Sequence, residues 1–130
     1  MRIDHLTVPV RDYEVGKRFY ADALKPLGVE VLLDWPDRRR AYFGEPRGPS
    51  TVWVVESAEA GPVDVGLALG DRASVIAFHN AAVAAGARSL TEPSVRPERH
   101  AGYFAARIAD FDGNEIEAVC RELADARAAA

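Results

Sequence analysis

The feature that most constrains this chain is an internal repeat. Shifted by 59 residues against itself, the 130-residue sequence lays Leu6, Val8 and Val10 on Val65, Leu67 and Leu69. The same shift lays Asp12 on Asp71 and Phe19-Tyr20 on Phe78-His79, with no gap. Apolar residues at every second position read as a strand with one buried face. An Asp just beyond reads as a helix N-cap, and the Phe that follows as a helix anchor. Strand, cap and anchor register together in both copies, so the chain is expected to hold two related modules.

In the first copy, Ile3 to Val10 reads as a strand with His5, Thr7 and Pro9 on the face opposite the apolar one. A helix follows from Tyr13 to Lys25, with Val15, Phe19 and Ala23 or Leu24 inward, stopped by Pro26 and Gly28. Strands are expected at Val29 to Leu33, Arg40 to Phe43 and Thr51 to Glu56. Ser57 to Pro62 is rich in breakers and reads as a linker. The second copy repeats the order. Val63 to Leu69 is a strand, and Arg72 to Ala85 a helix with Val75, Phe78, Ala82 and Val83 as inward candidates, ended by Gly86. Arg88 to Thr91 is a short strand and Glu92 to Gly102 a loop. Tyr103 to Cys120 is a hairpin turning tightly at Asp112-Gly113-Asn114. The expected fold class is α+β: two βαβββ modules, residues 1–57 and 62–122, joined by a linker at 58–61. The tail at 123–130 is expected to fray.

Charge narrows the partners. Sixteen basic against twenty acidic residues give a net charge of −4, which argues against nucleic acid as a partner. The one basic run, Arg38-Arg39-Arg40, sits beside Asp34 and Asp37 and reads as a solvated turn. A single cysteine, Cys120, excludes an intrachain disulfide and reads as a buried thiol. No stretch reaches the roughly 18 apolar residues of a membrane span, and the opening residues do not read as a signal peptide. The expectation is a cytoplasmic protein without a membrane partner.

The repeat also pairs polar residues. It lays His5 on Asp64, each on the non-apolar face of an equivalent strand. Modules packed with pseudo-twofold symmetry would bring the two together in a shared cavity. Glu117, between Ile116 and Ala118, either faces water on a half-wet sheet or points into that cavity. Aligning Asp112-Gly113-Asn114 with Gly48-Pro49-Ser50 sets Glu117 opposite Trp53. His5, Asp64 and Glu117 could ligate a divalent metal, and Trp53 could not. The other readings are a hydrogen-bonded pocket histidine for His5 and a salt bridge to a group such as Arg107 for Asp64. His79 is expected to be solvated, whereas His100 lies in a loop able to close over the cavity mouth.

IDHLTVPV, the Phe-Tyr pair in the first helix and the closing ADFDGNEIEAV together resemble the vicinal oxygen chelate superfamily, across essentially the whole chain. That group includes glyoxalase I, extradiol dioxygenases, and bleomycin and fosfomycin resistance proteins. Phe111 stands where the family motif commonly has proline. The resemblance implies a curved mixed sheet around a cavity, helices outside, and a homodimer. It places the family's metal ligands at His5, at Asp64 where a histidine is usual, and at Glu117. The fourth falls near Trp53 or Val54, where no ligand stands. Two carboxylates favour Mn²⁺ or Mg²⁺, with Fe, Ni or Zn as further candidates, and no organic cofactor is expected. Two functions follow from the resemblance. One is a divalent-metal-dependent lyase or dioxygenase acting on a small oxygenated substrate, with Glu117 as the catalytic carboxylate. The other is a metal-free small-molecule-binding protein of the resistance type. In either, Trp53, Tyr103, Arg107 and His100 are the expected pocket residues.

Overall fold

The computed structural model describes residues 1–59 and 61–121. One position of the expected linker and the whole tail at 123–130 lie outside the described residues. The first module runs β1 (His5–Val10), α1 (Tyr13–Leu24), β2 (Glu30–Trp35), β3 (Arg40–Gly44) and β4 (Thr51–Glu56). The second runs β5 (Asp64–Ala68), α2 (Arg72–Ala84), β6 (Arg88–Val95), β7 (Phe104–Ala109) and β8 (Glu115–Cys120). Each module makes its own four-stranded mixed sheet, in the orders β1-β4-β3-β2 and β5-β8-β7-β6. In both, the first strand pairs in parallel with the last, and the other pairs are antiparallel. The architecture is α+β with two βαβββ modules.

Both helices begin as the repeat requires. The Asp12 carboxylate accepts from the Val15 N–H at 3.1 Å, and that of Asp71 from the Ser74 N–H at 2.7 Å. One continuous core joins the modules. Val8, Val10, Phe43 and Val54 from the first sheet and Ile108, Ile116 and Ala118 from the second meet Phe19, Tyr20, Leu24, Val75 and Phe78 of the helices.

The helices do not bury the stripes expected of each alone. Val15 and Val83 are exposed, while Tyr13, Gly16 and Tyr20 are buried on α1. His79, expected in solvent, is 5% exposed, with Nε2 2.7 Å from the Ser89 hydroxyl. The reason is packing: α2 lies against α1 as well as against β6, β7 and β8, so it buries more than one stripe. The strands also differ in extent. β6 continues to Val95 through register shifts instead of stopping at Thr91. The β7–β8 connection takes five residues, 110–114, rather than a tight turn, with Gly113 at φ 82° where a side chain would strain the backbone.

That connection clamps the modules together. The Asp110 carboxylate accepts from the Tyr20 hydroxyl on α1, from the Asn114 side-chain amide, and from the Asp112 and Asn114 N–H groups. Asn114, with no exposed surface, donates to the Pro9 carbonyl on β1 and accepts from the Val63 N–H. Burial raises the Tyr20 pKa, and the Asp110 charge and hydrogen bond raise it further. Tyr13 donates to Asp34 and to the Arg40 carbonyl, and burial followed by Asp34 pushes its pKa up to about 12. Unfolded, both phenols titrate near 10.0. The unfolded chain therefore loses protons first, and the stability these groups contribute is present below pH ~10 and lost as pH rises through the folded values. Circular dichroism is expected to show a decline in stability setting in near pH 10, and Tyr20→Phe to make it shallower. Equal slopes in both proteins would remove Tyr20 from the account.

Candidate anion and ligand pocket

On β8, Ile116, Ala118 and Cys120 enter the core, so Glu115, Glu117 and Val119 occupy the face turned away from the helices. Arg107 on β7 pairs in register with Glu117, and Asp64 on β5 with Glu115. This register sets one guanidinium among three carboxylates from two strands. Arg107 Nη1 lies 3.1 Å from Asp64 Oδ1 and 3.1 Å from Glu115 Oε1, and Nη2 lies 3.6 Å from Glu117 Oε2. Burial disfavours the charged guanidinium, but Asp64, then Glu117 and Glu115, outweigh it, and the Arg107 pKa is raised.

Glu117 is the most enclosed of the three carboxylates, at 9% exposure. The Tyr103 hydroxyl donates to its Oε1, and Arg99 Nη1 stands 3.7 Å from its Oε2. Burial, then the bond to Glu117, raises the Tyr103 pKa. Beside this cluster lies a cavity of about 200 Å³, lined by Thr91, Arg96, Glu98, Arg99, Arg107 and Glu117 over a floor of Ala105 and Ala106.

The corresponding face of the first sheet is aromatic. Pairing sets Thr7 and Tyr42 on either side of Trp53. The His5 ring stacks on Trp53 at 3.8 Å and 8°, and Tyr42 stacks on Trp53 at 4.5 Å and 19°. The Trp53 indole N–H donates to the Thr51 hydroxyl at 2.8 Å, and His5 Nδ1 lies 2.8 Å from Asp4 Oδ1.

Asp64, Arg107, Glu117 and Tyr103 thus come together on one sheet, and His5 and Trp53 on the other. Within one chain the trio His5, Asp64 and Glu117 does not assemble. Among the described residues, no three His, Cys, Asp or Glu side chains gather to hold a metal ion. Strand parity put each residue on the face anticipated, but the edges of two separate sheets do not bring them into contact. The donor set does not fit a divalent ion either, since the Arg107 cation lies among the carboxylates that would ligate one. His100 is exposed, with Nδ1 2.6 Å from its neighbour's carbonyl, and it does not line the cavity. Its neighbour Arg99 does. Arg96, Arg99 and Tyr42 escaped the sequence reading: loop arginines carry no periodic signal, and Tyr42 needed the β3–β4 register.

A family model described as Glyoxalase/Bleomycin resistance protein/Dioxygenase superfamily matches residues 2–118. The chain belongs to this superfamily. Among solved structures, it is similar to a glyoxalase/bleomycin resistance protein from Albidiferax ferrireducens, at 27% identity and TM-score 0.78, covering 91% of this chain and 98% of the other. A lactoylglutathione lyase from Agrobacterium tumefaciens shares the fold at 19% identity and TM-score 0.67, with 92% of each chain covered. So does a member of the superfamily from Sphaerobacter thermophilus, at 21% identity and TM-score 0.64, covering 92% of this chain and 97% of the other. A comparison with curated proteins gave no match. Among the described residues of this superfamily member, no helix is long and apolar enough to cross a membrane.

Proposed function

We propose that this chain is a metal-free, small-molecule-binding member of the superfamily that works by sequestering its ligand. The supporting observation is Arg107. Its guanidinium bridges Asp64 and Glu115 and approaches Glu117, at two of the three positions where the resemblance would put metal ligands. A fixed cation there supplies the charge balance that a bound ion would supply, and the buried carboxylate is satisfied without one. The aromatic ladder of His5, Trp53 and Tyr42 offers a second face on which a flat ligand could stack.

A divalent-metal-dependent lyase or dioxygenase is the second reading. The observation in its favour is that His5 and Asp64 keep 40% and 67% of their side-chain surface exposed on edge strands β1 and β5. A second copy in a homodimer could bring donors from the two sheets together. Elemental analysis of protein purified without chelator separates the readings. Sequestration predicts well under one equivalent of any divalent metal, and no change in melting temperature on adding Mn²⁺, Ni²⁺ or Zn²⁺. A stoichiometric, activity-linked metal would decide for the enzyme.

A further inference from the structure

The cavity beside Glu117 carries an inference that rests on the ligand-binding reading above and names the ligand's chemistry. Three guanidiniums, from Arg96, Arg99 and Arg107, face it beside two carboxylates, from Glu98 and Glu117, while Asp64 and Glu115 hold Arg107 from the other side. Both Glu117 oxygens already have donors or cations, from Tyr103, Arg99 and Arg107. Arg107 is spent on Asp64, Glu115 and Glu117. Arg99, with 53% of its side chain exposed, reaches Tyr103 and stands 3.7 Å from Glu117, and Arg96, with 38% exposed, stands 3.7 Å from Glu98. Their guanidinium forks therefore retain donors for a ligand.

The loop that carries them is held in shape by its own backbone. The Arg96 N–H donates to the Tyr103 carbonyl at 2.6 Å, the Arg99 N–H to the Arg96 carbonyl at 3.1 Å, and the Tyr103 N–H to the His100 carbonyl at 3.1 Å. The backbone at both arginines is thus set before any ligand arrives, which lowers part of the ordering cost of binding. Arg99 also lies over the Tyr103 ring, 5.7 Å from its centroid, which restrains it at the mouth.

We propose that this cavity is a subsite for a small organic monoanion, a carboxylate held by Arg96 and Arg99 with its body over Ala105 and the Thr91 hydroxyl. Two arginine forks with free donors suit one carboxylate, and the nearby Glu98 and Glu117 oppose a dianion. The volume of about 200 Å³ lies below that of drug-sized sites, so the ligand is compact, on the order of ten non-hydrogen atoms.

The test is calorimetric titration of the full chain at low ionic strength with sodium benzoate and, separately, inorganic phosphate, over a constant chloride background. Benzoate is expected to bind saturably at one site. Arg99→Gln and the double variant Arg96→Gln/Arg99→Gln should weaken it at least tenfold. Arg88→Gln, at an exposed position on β6, should leave it unchanged. Melting temperatures of all variants should match the wild type, because Arg96 is half-buried and Arg99 exposed, both in a loop outside the core. Equal weakening by Arg88→Gln would mean that general charge is being read, and would overturn the subsite. Tighter binding of phosphate would overturn the monoanion assignment. An absence of benzoate binding by a metal-free protein would overturn the subsite and leave the sequestration reading standing. Metal in the purified protein would overturn that reading and leave the anion measurement to decide the subsite by itself.

Discussion

Asp110→Ala is expected to lower the stability of this protein by about 3–5 kcal/mol, the range for removing one partner of a buried, charged hydrogen-bond network. Four donors lose their acceptor at once: the Tyr20 hydroxyl, the Asn114 amide and two backbone N–H groups. Burial leaves the Tyr20 hydroxyl and both Asn114 groups no water to turn to. At this chain length the loss corresponds to a fall in melting temperature of roughly 10–20 °C. Asp110→Asn keeps part of the acceptor capacity and should fall between. Asp112→Ala, which removes one exposed bond to the Arg11 N–H, should cost no more than about 1 kcal/mol. Denaturant melts of the three variants provide the measurement. A cost below about 1 kcal/mol for Asp110→Ala would show that packing alone joins the modules.

Arg107→Ala carries the second large effect, because it changes what the acidic face can bind. Without the guanidinium, Asp64 and Glu115 lose the cation they share, and Glu117 keeps only Tyr103 and Arg99. A loss of about 2–3 kcal/mol is expected, less than for a fully buried pair because the side chain keeps 20% of its surface in solvent. The same variant should acquire affinity for a hard divalent cation, since the Asp64 and Glu115 carboxylates each lie 3.1 Å from the Nη1 position it vacates. Added Mn²⁺ at about 100 times its Kd would restore roughly 2.7 kcal/mol, seen as a metal-dependent rise in melting temperature that the wild type lacks. Arg107→Lys retains a cation and should gain no such response. Identical Mn²⁺ responses in wild type and Arg107→Ala would remove Arg107 from its role as the resident cation.

The local order of this fold is legible in the sequence because it is written locally. Leu6, Val8 and Val10 alternate, Asp12 and Asp71 cap, and a second pass at a shift of 59 repeats the message. Glu117 could be assigned to its face by parity, since Ile116 and Ala118 must both enter the core. Distances across the modules are another matter. His5 and Asp64 sit on equivalent faces, but whether they meet depends on how two sheets dock, and no periodicity encodes that. His79 shows the same limit: its burial follows from α2 packing on α1 and β6, a tertiary event. Arg99 lies in a loop whose shape is set by backbone hydrogen bonds, and a bare run of polar residues does not announce them. For Asp64, the reading as a salt bridge to Arg107 corresponds to the contact seen at 3.1 Å.

In each sheet the first strand pairs with the last. His5 pairs with Thr51 and Asp64 with Glu115, so each module seals only through a contact spanning most of its length. During synthesis, β1 has no partner until β4 has left the ribosome, and neighbouring hairpins must wait unsealed. Such distant parallel pairing is slow, because loop closure comes before any reward in contacts. The first module can then complete while the second is still emerging, and it holds Tyr20 ready for Asp110, the residue that latches the finished halves. A chain stalled between these two closures exposes β1 or β5 as a bare template, and another copy's β4 or β8 could take the vacant place.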